Sequence, residues 1–169
     1  MAKAAMDASH AASLRHLLRE QEVAALATLH SGEPSISMVP YLLLADGRGF
    51  VIHVSRLASH TKDMTTHARV SLLVIAAADP QVPAQARARV AIQGLAERVR
   101  QDVSGYDAMK SQYIAKFPSA EHLFTFADFS LFFVAPKSAR FVAGFAQAFS
   151  LTARAFTDIL ANRQAPNVA

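Results

Sequence analysis

Between Val23 and Ala77 the chain sets short apolar runs almost end to end, and only tight turn signals or one short polar stretch separate them. "VAALATLH" leads through "SGEP" into "SISMVPYLLLA", "DGRG" leads on into "FVIHV", and "SRLASHTKDMTTHA" leads into "RVSLLVIAA". The shortest of these links force the chain to double back, so strands that neighbour in sequence pair antiparallel. A doubly wound parallel sheet is not expected, because it needs strict alternation of strand and crossover helix. Closing such a ribbon into a barrel leaves few unpaired edges. The expected fold is therefore mainly β, a six- or seven-stranded antiparallel β-barrel with peripheral helices.

The remaining segments fit around that sheet. "ASLRHLLREQE" spaces Leu14, Leu17 and Leu18 at helical intervals with Arg and Glu opposite, which predicts an amphipathic helix before the first strand. Pro40 predicts a bend or an edge position in the second strand. "SHTKDMTTHA" reads as a short helix, "DPQVPAQ" as a loop, and "ARARVAIQGLAERVR" as a long strand with a bulge at Gly94. A helix follows, with Met109, Tyr113 and Ile114 at helical spacing, and stops near Pro118. "FSLFFVAPKSARFVAGFAQAF" predicts two aromatic-rich strands turning at "APKSA", and "LTARAFTDILANRQ" predicts a closing helix before a frayed tail. One domain over residues 1–169 holds all of this: an N-terminal helix in 1–22, the barrel with inserted helices in 23–150, and a C-terminal helix and tail in 151–169.

Composition narrows the function classes. The chain has no cysteine, which excludes disulfides, thiolate metal sites and cysteine nucleophiles and fits a cytoplasmic setting. No apolar run approaches the ~20 residues of a membrane span, and the N-terminus lacks the apolar centre of a signal peptide. A net charge of +4 is scattered along the chain without basic runs, so neither nucleic acid nor a membrane is an expected partner. No G-x-S-x-G elbow, glycine-rich phosphate loop or H-E-x-x-H motif occurs, and no catalytic residue is named. His53, His60 and His67 stand at intervals of seven; on a helix that is about two turns, ~10 Å, too far for neighbours to share one ion. No metal site is expected.

"HVSRLASHTKD" survives this pruning. Arg56 leaves a strand at its end and a helix begins within a turn, so unpaired N–H groups and the positive helix terminus favour an anion there. Ser55, Ser59 and Thr61 add hydroxyls, Arg56 and Lys62 add charge, and His60 adds a ring N–H. A phosphate monoester matches this set in charge and acceptors. The same residues also suit a solvated junction in which Ser59 is simply the N-cap. Arg87 and Arg89, on alternate positions of one strand face, either solvate an edge or converge on an anion.

Taken in order, "SISMVPYLLLADGRGFVIHVSRLASHTKDMTTHARVSLLV", "ARARVAIQGLAERV" and "ARFVAGF" resemble the FMN-binding split-barrel family typified by pyridoxamine 5′-phosphate oxidase, and within it the haem-utilisation branch of the HugZ type. The resemblance spans roughly residues 12 to 150. It implies a six-stranded antiparallel split barrel that forms a homodimer, with FMN at the subunit interface. By position, Ser37, Met38, Val39 and Pro40 would line the flavin ring with backbone groups. Ser55, Arg56, His60, Thr61 and Lys62 would surround the phosphate, and Arg89, with Arg87, would reach the flavin from the partner subunit. The chain has no tryptophan, whereas the vitamin oxidases end in a tryptophan and an arginine that hold the substrate phosphate; this argues against that substrate. The expected function is an FMN-dependent oxidoreductase acting on a small molecule. The alternative is a split barrel that binds haem, as carrier, sensor or haem-degrading protein, without flavin chemistry.

Overall fold

The computed structural model describes residues 6–162, so the tail expected at the C-terminus lies outside the described residues from 163 onward. Helix α1 (Ala8–Glu20) opens the fold, capped by the Asp7 side chain, which accepts from the His10 N–H at 2.8 Å. Leu14, Leu17 and Leu18 are its buried residues, as the spacing predicts. Strands β1 (Val23–His30) and β2 (Glu33–Pro40) form a hairpin over the two residues Ser31 and Gly32, both with positive φ. A turn of that twist matches the twist of the strands it joins.

The second apolar run does not continue as one strand. It breaks after Pro40, and Leu42–Leu43 forms a separate short strand, β3, that pairs with β4 (Phe50–Ser55) rather than with β1. Proline has no N–H to extend the ladder, and the next N–H, that of Tyr41, donates to the Glu22 carbonyl at 3.0 Å. Helix α2 (Ser59–Thr66), β5 (Arg69–Ile75), β6 (Arg89–Arg98) and helix α3 (Tyr106–Lys116) follow.

The aromatic-rich segment corrects the expectation of a turn at "APKSA". It is one uninterrupted strand, β7 (Phe129–Gly144), and the chain turns only at Phe145 and Ala146, before β8 (Gln147–Thr152) and helix α4 (Ala153–Leu160). Pro136 is tolerated because it sits at a bulge. Gln93 faces Ser138 and Gly94 faces Pro136, which leaves Lys137 as the extra residue. The strands approach closely there: a Cβ on Gly94 would stand 2.8 Å from Val134 and 2.9 Å from the Ala135 carbonyl.

All pairings are antiparallel in one sheet ordered β2-β1-β5-β6-β7-β4-β3, with β8 beside β7. Among the described residues the strands number eight rather than six or seven, because β3 and β8 add to the curled split-barrel sheet. Its concave face carries the alternating inward residues, among them Leu26, Ile52, Leu72, Ile92 and Phe141, and α1 and α4 cover it with Leu14, Leu18 and Phe156. Strand β4 is buried on both faces. Phe50, Ile52 and Val54 enter the barrel core, whereas Val51 packs outward with Tyr106, Met109 and Tyr113 of α3. No helix among the described residues is long and apolar enough to cross a membrane.

Candidate functional site

The junction after β4 is built by one serine. Ser55 Oγ donates to Asp128 Oδ2 at 2.5 Å and accepts from the Leu57 N–H at 3.1 Å, a local turn that ends the strand. The Arg56 N–H donates to the Asp128 carbonyl at 2.7 Å, which ties the turn to the segment entering β7. Helix α2 then starts at Ser59 with Ala58 as N-cap and no capping side chain, so Ser59 is not the cap. Its placement depends on tertiary contacts: Met64 enters the core, and Asp63 is buried beside β1.

A cavity of about 340 Å³ opens between α2, the end of β6 and the start of β7. Arg56, Lys62 and Arg98 line it, together with the Asp128 carboxylate. None of the four makes an ion pair among the described residues. Thr61 also lines it, buried, with an Oγ1 that has no hydrogen-bond partner. The neighbouring hydroxyls are already used: Thr65 Oγ1 donates to the Thr61 carbonyl at 2.8 Å and Thr66 Oγ1 to the Lys62 carbonyl at 3.1 Å. A buried hydroxyl without a partner is costly unless a ligand supplies one. Three cationic side chains and one free hydroxyl around one cavity fit an anionic group.

The structure thus brings Arg56, Thr61 and Lys62 together, but not all the residues named with them. Ser55 spends its hydroxyl on Asp128 behind the cavity. His60 does not line the cavity; burial pushes its pKa down, partly opposed by the charge of Asp63. Ser37, Met38, Val39 and Pro40 lie on the edge strand β2. There Val39 points into the core, Met38 is 64% exposed, and Ser37 Oγ is buried without a partner. Arg87 donates to the Ala76 carbonyl, and Arg89 Nη1 donates to the carbonyls of Gln85 at 3.1 Å and Arg87 at 3.0 Å. Arg89 starts β6 and Arg98 ends it, roughly 30 Å apart at the rise of a strand.

Two charged cavity residues escaped the sequence reading. Arg98 had a signal: it continues the parity of Val90, Ile92, Gly94 and Ala96 to the exposed end of the strand, where a charge breaks the apolar pattern. Asp128 had none, since only the pairing of β7 with β4 brings it to Ser55.

His53 is a second unusual group. It is buried on the outer face of β4, stacked on Phe124 with centroids 3.8 Å apart and planes 8° from parallel, and its Nδ1 has no partner. Burial, helped by the charge of Lys110, pushes its pKa down to about 4.

The sequence profile of the pyridoxamine 5′-phosphate oxidase family matches residues 11–143. The chain belongs to that family. Among similar members, the chloroplast heme oxygenase HOZ of Arabidopsis thaliana is 38% identical over 120 residues, 71% of this chain and 35% of HOZ. Heme oxygenase HutZ of Vibrio cholerae is 24% identical over 149 residues, 87% of this chain and 84% of HutZ. A heme-binding protein from Mycobacterium smegmatis superposes with a TM-score of 0.79 at 29% identity, covering 90% of this chain and 62% of that one. The chain thus spans about a third of the plant relative and under two thirds of the mycobacterial protein. The split-barrel fold and the HugZ-type branch agree with these likenesses.

Proposed function

We propose that this chain is a haem-binding member of the pyridoxamine 5′-phosphate oxidase family, with haem as substrate or cargo and the cationic cavity as the seat of an anionic group of the ligand. The observation that carries this reading is the 38% identity to a heme oxygenase across 71% of the chain. Arg56, Lys62 and Arg98 would hold a propionate carboxylate through charge-assisted hydrogen bonds, with Thr61 Oγ1 as a further donor. Haem supplies the redox chemistry, and the chain binds and orients it. Titration with haem tests the reading. A Soret band that saturates and weakens in Arg56→Ala supports it, and a free-haem spectrum at every ratio overturns it.

One observation favours FMN for the same cavity. The partnerless Thr61 hydroxyl and three cations offset by one carboxylate suit a dianionic phosphate better than a monoanionic carboxylate. Quenching of FMN fluorescence by the protein, without a Soret response to haem, would put this flavoprotein oxidoreductase reading first.

A homodimer belongs to both readings. Its support is the convex face of β1, β2, β5 and β6. Ile36 and Met38 stand 75% and 64% exposed there, beside a trough of about 450 Å³ that Leu29, Pro34 and Leu95 line together with Arg69, Gln93 and Lys137. Large apolar side chains exposed beside such a trough support an association site. Light scattering after size exclusion reads it: Ile36→Asp shifts a dimer to monomer, and a monomeric wild type refutes the pairing.

A further inference from the structure

Asp63 is buried at 5% exposure, although it is charged and does not line the cavity. Both of its oxygens are used. Oδ2 accepts from Thr28 Oγ1 at 2.8 Å, and Oδ1 stands 2.8 Å from His30 Nδ1. Burial alone would raise its pKa. Hydrogen bonds from His30 and Thr28, with the nearby charges of His30 and His60, outweigh burial and hold it below the usual carboxylate value. Thr28 and His30 lie on β1, opposite Ser35 and Glu33 of β2. One carboxylate thus joins the β1–β2 ribbon to the helix that carries Thr61 and Lys62.

Stability alone is a poor reason for this arrangement. A buried carboxylate pays desolvation, and an apolar side chain of similar size would stabilise the same contact as well. What the carboxylate adds is fixed geometry, because two directional bonds set both the rotation and the axial position of α2. That matters for this helix, which lacks a capping side chain and is only eight residues long. Lys62 is the adjacent residue and Thr61 lies two positions before, so a small rotation of α2 would swing both out of the space they share with Arg56 and Arg98.

We propose that Asp63, held by Thr28 and His30, is the positioning residue of the anion cavity, locking α2 against the β1–β2 ribbon so that Thr61 and Lys62 face Arg56 and Arg98. The proposal rests on the cavity being an anion site and not on whether the anion belongs to haem or FMN.

The test is an amide-resolved NMR titration of the full chain with inorganic phosphate. In the wild type the amides of Thr61, Lys62 and Thr65 respond. Asp63→Asn weakens that response about tenfold and His30→Ala about threefold, while Thr28→Ser, which keeps the donor, behaves as wild type. The His30 side chain is 57% exposed, so its variant folds even where Asp63→Asn does not. Phe156→Leu on α4 reports what destabilisation alone does. Phosphate binding that is unchanged in His30→Ala, or that falls as much in Phe156→Leu, overturns the proposal. Wild-type amides silent to phosphate overturn it together with the anion cavity, whereas a Soret band on haem addition would still leave the haem reading standing.

Discussion

Strand β6 begins and ends in arginine, and the two ends are in different states. At the first residue, Arg89 donates to the carbonyls of Gln85 and Arg87, while Arg87 donates to Ala76. At the last residue, Arg98 enters a cavity with Arg56 and Lys62, and none of these three makes an ion pair among the described residues. The residue type is the same, so the difference lies in the backbone nearby. The loop between β5 and β6 curls back and offers its carbonyls to the arginines beside it, which holds that loop against the sheet. The junction at Ser55 instead uses its own hydroxyl and the Asp128 carboxylate to close, so the cations there stay free. An arginine is available to a ligand only where the local backbone has already satisfied itself.

The largest effect is expected from removing two cations from the cavity. Arg56→Ala with Lys62→Ala is expected to weaken ligand binding by several hundredfold, on the order of 3–4 kcal/mol from charge-assisted bonds. Calorimetric titration with haem and with FMN checks it; affinities within threefold of wild type for both would mean the cavity is not the anion seat.

Acid pH acts on a different group from both arginine sets. His53 has its folded pKa depressed to about 4 from 6.5, so the unfolded chain binds a proton between these values that the folded chain does not. Stability is full above pH 6.5 and falls as pH drops toward 4, by on the order of 3 kcal/mol in total. Denaturant melts of wild type and His53→Phe across that range read the effect. The variant flattens this part of the profile, and parallel curves would assign the dependence elsewhere.

Arg98→Ala removes one cation alone, with an expected tenfold loss of affinity, about 1.4 kcal/mol, and an unchanged melting temperature. Arg87→Ala is the mirror image and the smallest effect. It lowers the melting temperature by about 2–4 °C, roughly 1 kcal/mol, while affinity stays within twofold. If Arg87→Ala instead weakens ligand binding, the contact with Ala76 does not describe its role, and reach into a partner's site returns as its explanation.

The strands were legible because short turn signals bound their apolar runs. β1, β5 and β6 fall within the runs that suggested them, and the register shift stands at Gly94. The failures came at prolines, where one local signal has two structural meanings. Pro40 stands on an edge strand as expected, but it also ended that strand and redirected the chain to a new partner, whereas Pro136 sat inside the longest strand at a bulge. Only the partner strand distinguishes these cases. Within the site, Arg56, Thr61 and Lys62 were legible because they are close in sequence around a helix start. Arg98 was legible in principle as the charge that breaks the apolar pattern, and Asp128 was not, since it meets Ser55 from 73 residues away.

By itself the sequence determined an antiparallel, curled sheet with helices at its margins and a basic, hydroxyl-rich junction after the apolar run "FVIHV". Periodicity and short links are local properties, and they leave few ways to bury the apolar faces. The tertiary structure decided which polar groups are already satisfied and which are not. It tied Ser55 to Asp128, Arg87 to Ala76 and Asp63 to Thr28 and His30, and it left Thr61 Oγ1 buried and without a partner in a cationic cavity. Hydrogen-bond satisfaction is a property of neighbours in space, and the chain's order does not carry it.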